Sequence, residues 1–147
     1  MLDECVTCGS KNLKKIENHT KKVEFKVGDK LKKFVLTGLS LSKCQNCGEG
    51  YFNPQDCELY DKKLLEALAA ERRKRGLLTG EEIREIRETL GFSQVEFEKL
   101  LGIGAKSFVR WENYRSDQSK SADLLLRMIK KGGKDFLLSL LEEKKIA

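Results

Sequence analysis

Apolar and charged positions alternate early in the chain: Val23, Phe25 and Val27 are interleaved with Lys22, Glu24 and Lys26. A period of two marks a strand with one buried face. Gly28-Asp29 offers a two-residue reversal with glycine first, so residues 31–36 are expected to return as the second strand of a hairpin. Residues 38–43 run back toward a cysteine turn and Gly50-Tyr51-Phe52 leaves it. From 13 to 52 the reading is β.

The period then changes. Asn53-Pro54 reads as N-cap and first helical residue, because proline is pre-set for that turn. Cys57, Tyr60, Leu64 and Leu68 follow at near-helical spacing. They predict a helix to about Lys74, with Cys57 as a small core residue. Its end, Arg72-Arg73-Lys74-Arg75-Gly76, combines cations that suit the helix dipole with a glycine stop. This run reads as a solvated helix end, and 77–80 as a junction.

Beyond it the pattern predicts short capped helices. Thr79-x-x-Glu82 is a capping box opening a helix over 81–90, which Gly91 closes. Ser93-x-x-Glu96 opens a second to Leu101, and Gly102-Ile103-Gly104 makes a tight turn. A third helix is expected over 105–113 and a polar loop over 114–120. Ser121 is expected to cap a fourth helix through Lys131, Gly132-Gly133 to break it, and 135–144 to form a last amphipathic helix.

Composition narrows the class. Of 147 residues 35% are charged and only 7% aromatic, which favours a metal staple and a helical bundle over one thick core. No apolar run approaches the ~18–20 residues of a membrane span, and the start lacks the basic and apolar regions of a secretory signal. A reducing, cytoplasmic location is expected. Lys and Arg number 29 against 23 Asp and Glu, a net +6; that permits polyanion binding without demanding it.

Cys5-x-x-Cys8 and Cys44-x-x-Cys47 carry the clearest chemistry. Two thiolates three positions apart grip a cation from one turn, and two such turns complete a tetrahedron. Gly9 and Gly48 follow each pair, suiting a turn whose backbone leaves the usual φ range. One structural Zn²⁺ is expected, the alternatives being a disulfide pair, a redox dithiol or an iron–sulfur site. Four sulfur ligands leave a metal no open position for water, and no general base is placed beside them. The chain is therefore expected not to be an enzyme. An RNA-binding ribbon is disfavoured, since Phe25 and Phe34 read as hairpin core rather than a stacking platform. The only histidine, His19, reads as a polar surface residue.

Two short helices joined by a glycine-bearing turn within a bundle form a helix-turn-helix arrangement, whose second helix enters the major groove of DNA. At about 100° per residue, Lys106, Arg110 and Asn113 share one face of the third helix. Phe108 and Trp111 point the other way, toward Val95, Phe97 and Leu101. Arg110 presents a planar fork suited to guanine O6 and N7. Lys106 could meet a guanine or a phosphate; Ser107 is an adaptable donor and Val109 a partner for a thymine methyl. Gln94 is placed to hold a phosphate oxygen, and Asn113 and Arg115 to clamp the backbone. Arg87 and Glu112 are expected to pair between the first and third of these helices. Phe136, Leu137, Leu140 and Leu141, with Leu125 and Met128, offer apolar surface for a homodimer.

The order of zinc knuckles, hairpin, linking helix and helix-turn-helix resembles the MqsA/YgiT-type antitoxins over nearly the whole chain. The second half alone is similar to the Xre, lambda-repressor-like class. The most specific pieces are the two cysteine pairs, Ile86-Arg87-x-x-x-Gly91-x-Ser93-Gln94 and Ser107-Phe108-x-Arg110-Trp111-Glu112. The resemblance implies that the zinc domain binds a small ribonuclease toxin and that the C-terminal domain dimerises and represses its own operon. It makes Cys5, Cys8, Cys44 and Cys47 the zinc ligands and Arg110 a base-contacting residue. Lys106 stands where relatives often have asparagine, Tyr114 where glycine is usual, and Lys120 where proline is common. The expected architecture is α+β in two domains: a zinc-stapled ribbon with linking helix over 1–76, and an all-α helix-turn-helix bundle over 77–147. The expected function is that of a DNA-binding repressor and antitoxin, the alternative being a stand-alone transcriptional regulator without a toxin.

Overall fold

The computed structural model describes residues 3–146. The chain forms two compact units, one holding Lys30–Ala67 with the chain up to Phe25, the other holding Lys26–Asp29 and the chain from Leu68 onward. The architecture is mixed: an antiparallel β-hairpin at the start, then helices. Among the described residues no helix is long and apolar enough to cross a membrane.

The first unit is built on strands β1 (Leu13–Val27) and β2 (Lys30–Cys44), neighbours in a sheet completed by the short β3 (Gly50–Tyr51). Gly28, at φ +61°, makes the expected reversal. Both long strands extend further than the alternation predicted, because left-handed residues inside them shift the register without ending them. In β2, Gly38 has φ +69°. The buried positions step from Leu36 to Leu39 across it, then resume a period of two at Leu41. Asn18, at φ +56°, marks a similar irregularity in β1, the signature of a bulge. Phe25 and Phe34 are half-buried.

Helix α1 spans Pro54–Lys74. Asn53 caps it, its Oδ1 accepting from the Asp56 N–H at 2.8 Å. Asp56 is itself buried and accepts from the Ser40 hydroxyl of β2. Lys21 of β1 lies over the rings of Phe52 and Tyr60, at 5.1 and 5.0 Å. Cys57 is exposed, which corrects its assignment to the core: the residue turned inward at this end of the helix is Asp56, drawn there by Ser40.

The second unit holds α2 (Gly80–Thr89), α3 (Gln94–Leu101), α4 (Ser107–Glu112) and α5 (Lys120–Ile146). Both expected capping boxes form, Thr79 with Glu82 and Ser93 with Glu96. Ile83, Phe97, Phe108, Leu126 and Ile129 are fully buried. Phe92, Phe97, Phe108 and Trp111 make a chain of ring contacts with centroids 5.0–5.6 Å apart. Val95, expected in this core, is 59% exposed. The cap is Ser119, whose Oγ accepts from the Ala122 N–H at 3.1 Å; the sequence had suggested Ser121. Gly133, at φ +73° and ψ −169°, interrupts α5 as the glycine pair predicted. Leu137 belongs to the core, whereas Leu124, Met128, Leu138 and Leu140 are exposed.

The run 72–75 is not wholly solvated. Arg72 is buried, donating to the Trp111 carbonyl at 2.8 Å, the Ser116 carbonyl at 2.9 Å and Asp117 at 3.1 Å. Its guanidinium lies 4.4 Å from the Tyr114 ring centroid. Tyr114 adopts φ +58°, a conformation that favours glycine. The interactions of its side chain hold it there: the hydroxyl accepts from the Gly80 N–H at 3.0 Å and donates to Glu81.

Candidate metal centre and nucleic-acid face

The two cysteine turns have the same construction. In each, the first cysteine's N–H donates five residues ahead, Cys5 to Ser10 and Cys44 to Glu49, both at 2.8 Å. Its carbonyl accepts from the following glycine, Gly9 at 2.8 Å and Gly48 at 3.0 Å. Those glycines have φ +69° and +81°, as the sequence required. The turns are brought together by the hairpin base, where the Gln45 N–H donates to the Asn12 carbonyl at 2.9 Å. β3 pairs with β2 there through Ser42 opposite Tyr51 and Lys43 opposite Gly50.

All four sulfurs lie within 4.8 Å of one another. Across the two turns Cys5 stands 3.5 Å from Cys47, and Cys8 3.7 Å from Cys44. A tetrahedron with metal–sulfur arms of ~2.3 Å has edges of about 3.8 Å, so the quartet fits a bound dication. The separations are far from the ~2 Å of a disulfide. Cys5 and Cys44 are buried while Cys8 and Cys47 are exposed.

The sulfurs are polarised unequally. The Tyr51 hydroxyl, 3.1 Å from Cys5, brings that thiol down to about 6 against the effect of burial. Tyr51 is held by Thr7, whose N–H lies 3.3 Å and hydroxyl 2.5 Å from the phenol oxygen. Cys44 is lowered by the Cys47 N–H. For Cys47 the Glu49 N–H favours the thiolate, but desolvation and the other three sulfurs push it up to about 12. Four thiolates this close repel one another, and a shared cation removes that repulsion.

In the second unit, α4 is anchored from behind. It starts at Ser107 and ends at Glu112, shorter than the predicted 105–113, because Lys106 is left-handed at φ +64°. Sequence reasoning missed what holds that end: the buried Glu98 of α3 accepts from the Lys106 N–H at 3.1 Å and the Phe108 N–H at 3.0 Å. An acid next to Phe97 in an otherwise apolar register was the available signal.

The other end is fixed by Glu112. Arg87 of α2 donates to it at 2.7 and 3.0 Å, the expected pair. Gln94 of α3 adds a bond at 2.9 Å and Arg84 one at 3.3 Å. Burial opposes ionisation of Glu112, but the Arg87 fork, then Gln94 and Arg84, hold its carboxyl below its ordinary value.

Lys106, Arg110, Asn113 and Arg115 are all exposed. Lys106 precedes the helix, and Asn113 follows it with its amide donating back to the Val109 carbonyl at 2.9 Å. Ser107 is buried, its hydroxyl 3.5 Å from an Arg110 nitrogen. Gln94 is half-buried with its amide nitrogen committed to Glu112. Thus four of the six residues expected at a nucleic-acid face are exposed, one is half-buried and one is buried.

A cluster of four cysteines able to hold a metal ion, set on a β-hairpin and followed by helices, defines a mixed α+β protein with a candidate metal site in its first unit. The family model for the antitoxin component of bacterial toxin-antitoxin systems, MqsA, matches residues 3–142. The chain belongs to that family, as the cysteine and helix motifs had suggested. No curated protein matches it.

Proposed function

We propose that this chain is the antitoxin of a toxin–antitoxin pair and the repressor of its own operon. It works as a non-enzymatic homodimer in the cytoplasm. The ribbon, held by one structural Zn²⁺ on Cys5, Cys8, Cys44 and Cys47, engages a small ribonuclease toxin. The helical unit, acting as a helix-turn-helix domain over 77–147, binds double-stranded operator DNA. Zinc would supply structural cohesion only, since the four thiolates fill its coordination sphere.

One observation carries the DNA reading: Arg110 is exposed on a helix fixed at one end by Glu98 and at the other by Glu112. A reader on a rigid element meets a base edge with little loss of side-chain and backbone freedom. Arg110 addresses a guanine bidentately, Lys106 and Arg115 meet phosphates, and Asn113 lies beside the backbone. The exposed Met128, Leu138 and Leu140 of α5 suit the homodimer interface.

The test is fluorescence anisotropy of the full chain on duplexes tiled across the DNA upstream of its own gene. Binding should be specific to one duplex and weaken steeply with salt. Arg110→Ala should weaken it by ~1–3 kcal/mol and relax preference at one base position. Equal binding by that variant would remove Arg110 from the base-reading role. Native mass spectrometry should give one zinc per chain and two chains per particle.

A further inference from the structure

Between α2 and α5 lies a cavity of about 250 Å³, bordered at one end by Gly133, where α5 is interrupted. Its floor is apolar, made by Ile86, Leu90 and Ile129, all buried. Its rim carries one anion and one cation, Glu85 and Lys130, both exposed. None of the proposed DNA-contacting residues lines it.

Size limits the occupant. Drug-sized ligands take pockets of ~300–1,000 Å³, while a dry cavity of ~150 Å³ holds benzene. This cavity falls between them, too small for a nucleotide and large enough for a branched or aromatic side chain with a short polar head. Charge limits it further. A carboxylate alone would face Glu85, and an ammonium alone would face Lys130. A small zwitterion satisfies both, its carboxylate on Lys130 and its ammonium on Glu85, with its apolar part over Ile86, Leu90 and Ile129.

We propose that this cavity is a binding site for a free amino acid with an apolar side chain, of the leucine or phenylalanine type. The ligand would sit at the break in α5, next to the segment that carries the exposed Leu138 and Leu140. Occupancy would therefore bear on how that segment meets a second copy. The site stands on the cavity and its rim charges, so it can fail without the operator reading failing, and the reverse.

The full-length, zinc-loaded chain should be titrated with L-leucine, followed by amide chemical shifts and by calorimetry. L-Leucinamide, which lacks the carboxylate, and 4-methylpentanoate, which lacks the ammonium, serve as probes of each rim contact. Saturable shifts confined to α2 and the region around Gly133 are expected, with each analogue at least about tenfold weaker, the size of one charge-assisted hydrogen bond. Glu85 and Lys130 are exposed, so their substitution leaves the core intact. Lys130→Ala should abolish the preference for leucine over leucinamide, and Glu85→Ala the preference over 4-methylpentanoate. Absence of saturable binding at millimolar leucine overturns the proposal. So does a preference that survives both substitutions, or shifts at these residues that follow protein concentration and ignore the amino acid, which would mean that a second copy fills the space.

Discussion

Glu112 shows how much one buried side chain organises. Its carboxyl is held low in the folded state, so it stabilises the fold fully above the unfolded carboxylate value, ~4.3. That contribution is lost as pH falls through the lower folded value. Asp117 and Asp123 are depressed likewise: burial opposes both, but Arg75 and Arg72 together hold Asp117 down, and Arg127, the Leu78 N–H and Gln118 together hold Asp123 down. The contribution of these three carboxylates should therefore be level near neutrality and fall once pH drops below about 4. Denaturant midpoints measured against pH should show this, with Glu112→Gln less stable at neutral pH and less steep in acid. An unchanged acid slope in that variant would show that Glu112 is not among the groups titrating. The Arg87–Glu112 pair was legible in the sequence because both residues fall at fixed positions in recognisable motifs. Arg72 was not: nothing in Arg72-Arg73-Lys74-Arg75 distinguishes the guanidinium that becomes buried from those that stay in water. That choice is made by the carbonyls of Trp111 and Ser116, distant in sequence.

The helices of the second unit were read from caps and glycines, and α2 and α3 formed where their capping boxes placed them. Helix α4 was overextended because its start is set from another helix. Glu98→Ala removes the acceptor for two N–H groups at that start, and should destabilise by roughly 1–3 kcal/mol. Chemical denaturation measures it, and a midpoint equal to wild type would deny the cap its role. A second contact ties α2 to α4: a β-carbon on Gly80 would collide with the Glu112 carbonyl oxygen. Because that neighbour is backbone, Gly80→Ala should lose at least ~1–3 kcal/mol, read in the same experiment. The region 13–52 was read as β throughout, but alternation marked only part of each long strand because it breaks at Asn18 and Gly38. A bulge looks like a strand end when only the pattern is visible.

For the molecule as a whole, the cysteine centre was legible because its ligands come in two short, identical spacings. Closing the long loop between those turns is entropically unfavourable, and bonds to the proposed zinc would offset it. A strong chelator should therefore release the ribbon's order while the helical signal from the second unit, whose core contains no cysteine, persists. Far-ultraviolet circular dichroism against chelator, with metal release followed in parallel, would show it; loss of the helical signal in step with the metal would contradict it.

Side chains from two helices, α2 and α3, converge on the single Glu112 carboxylate of α4. Substitutions at Arg87 and Gln94 will consequently be non-additive, each altering what the other is worth. A Gln94→Ala variant that binds DNA poorly would thus report a slackened α4 as readily as a missing phosphate contact. Only a double-mutant cycle with Glu112 separates the two.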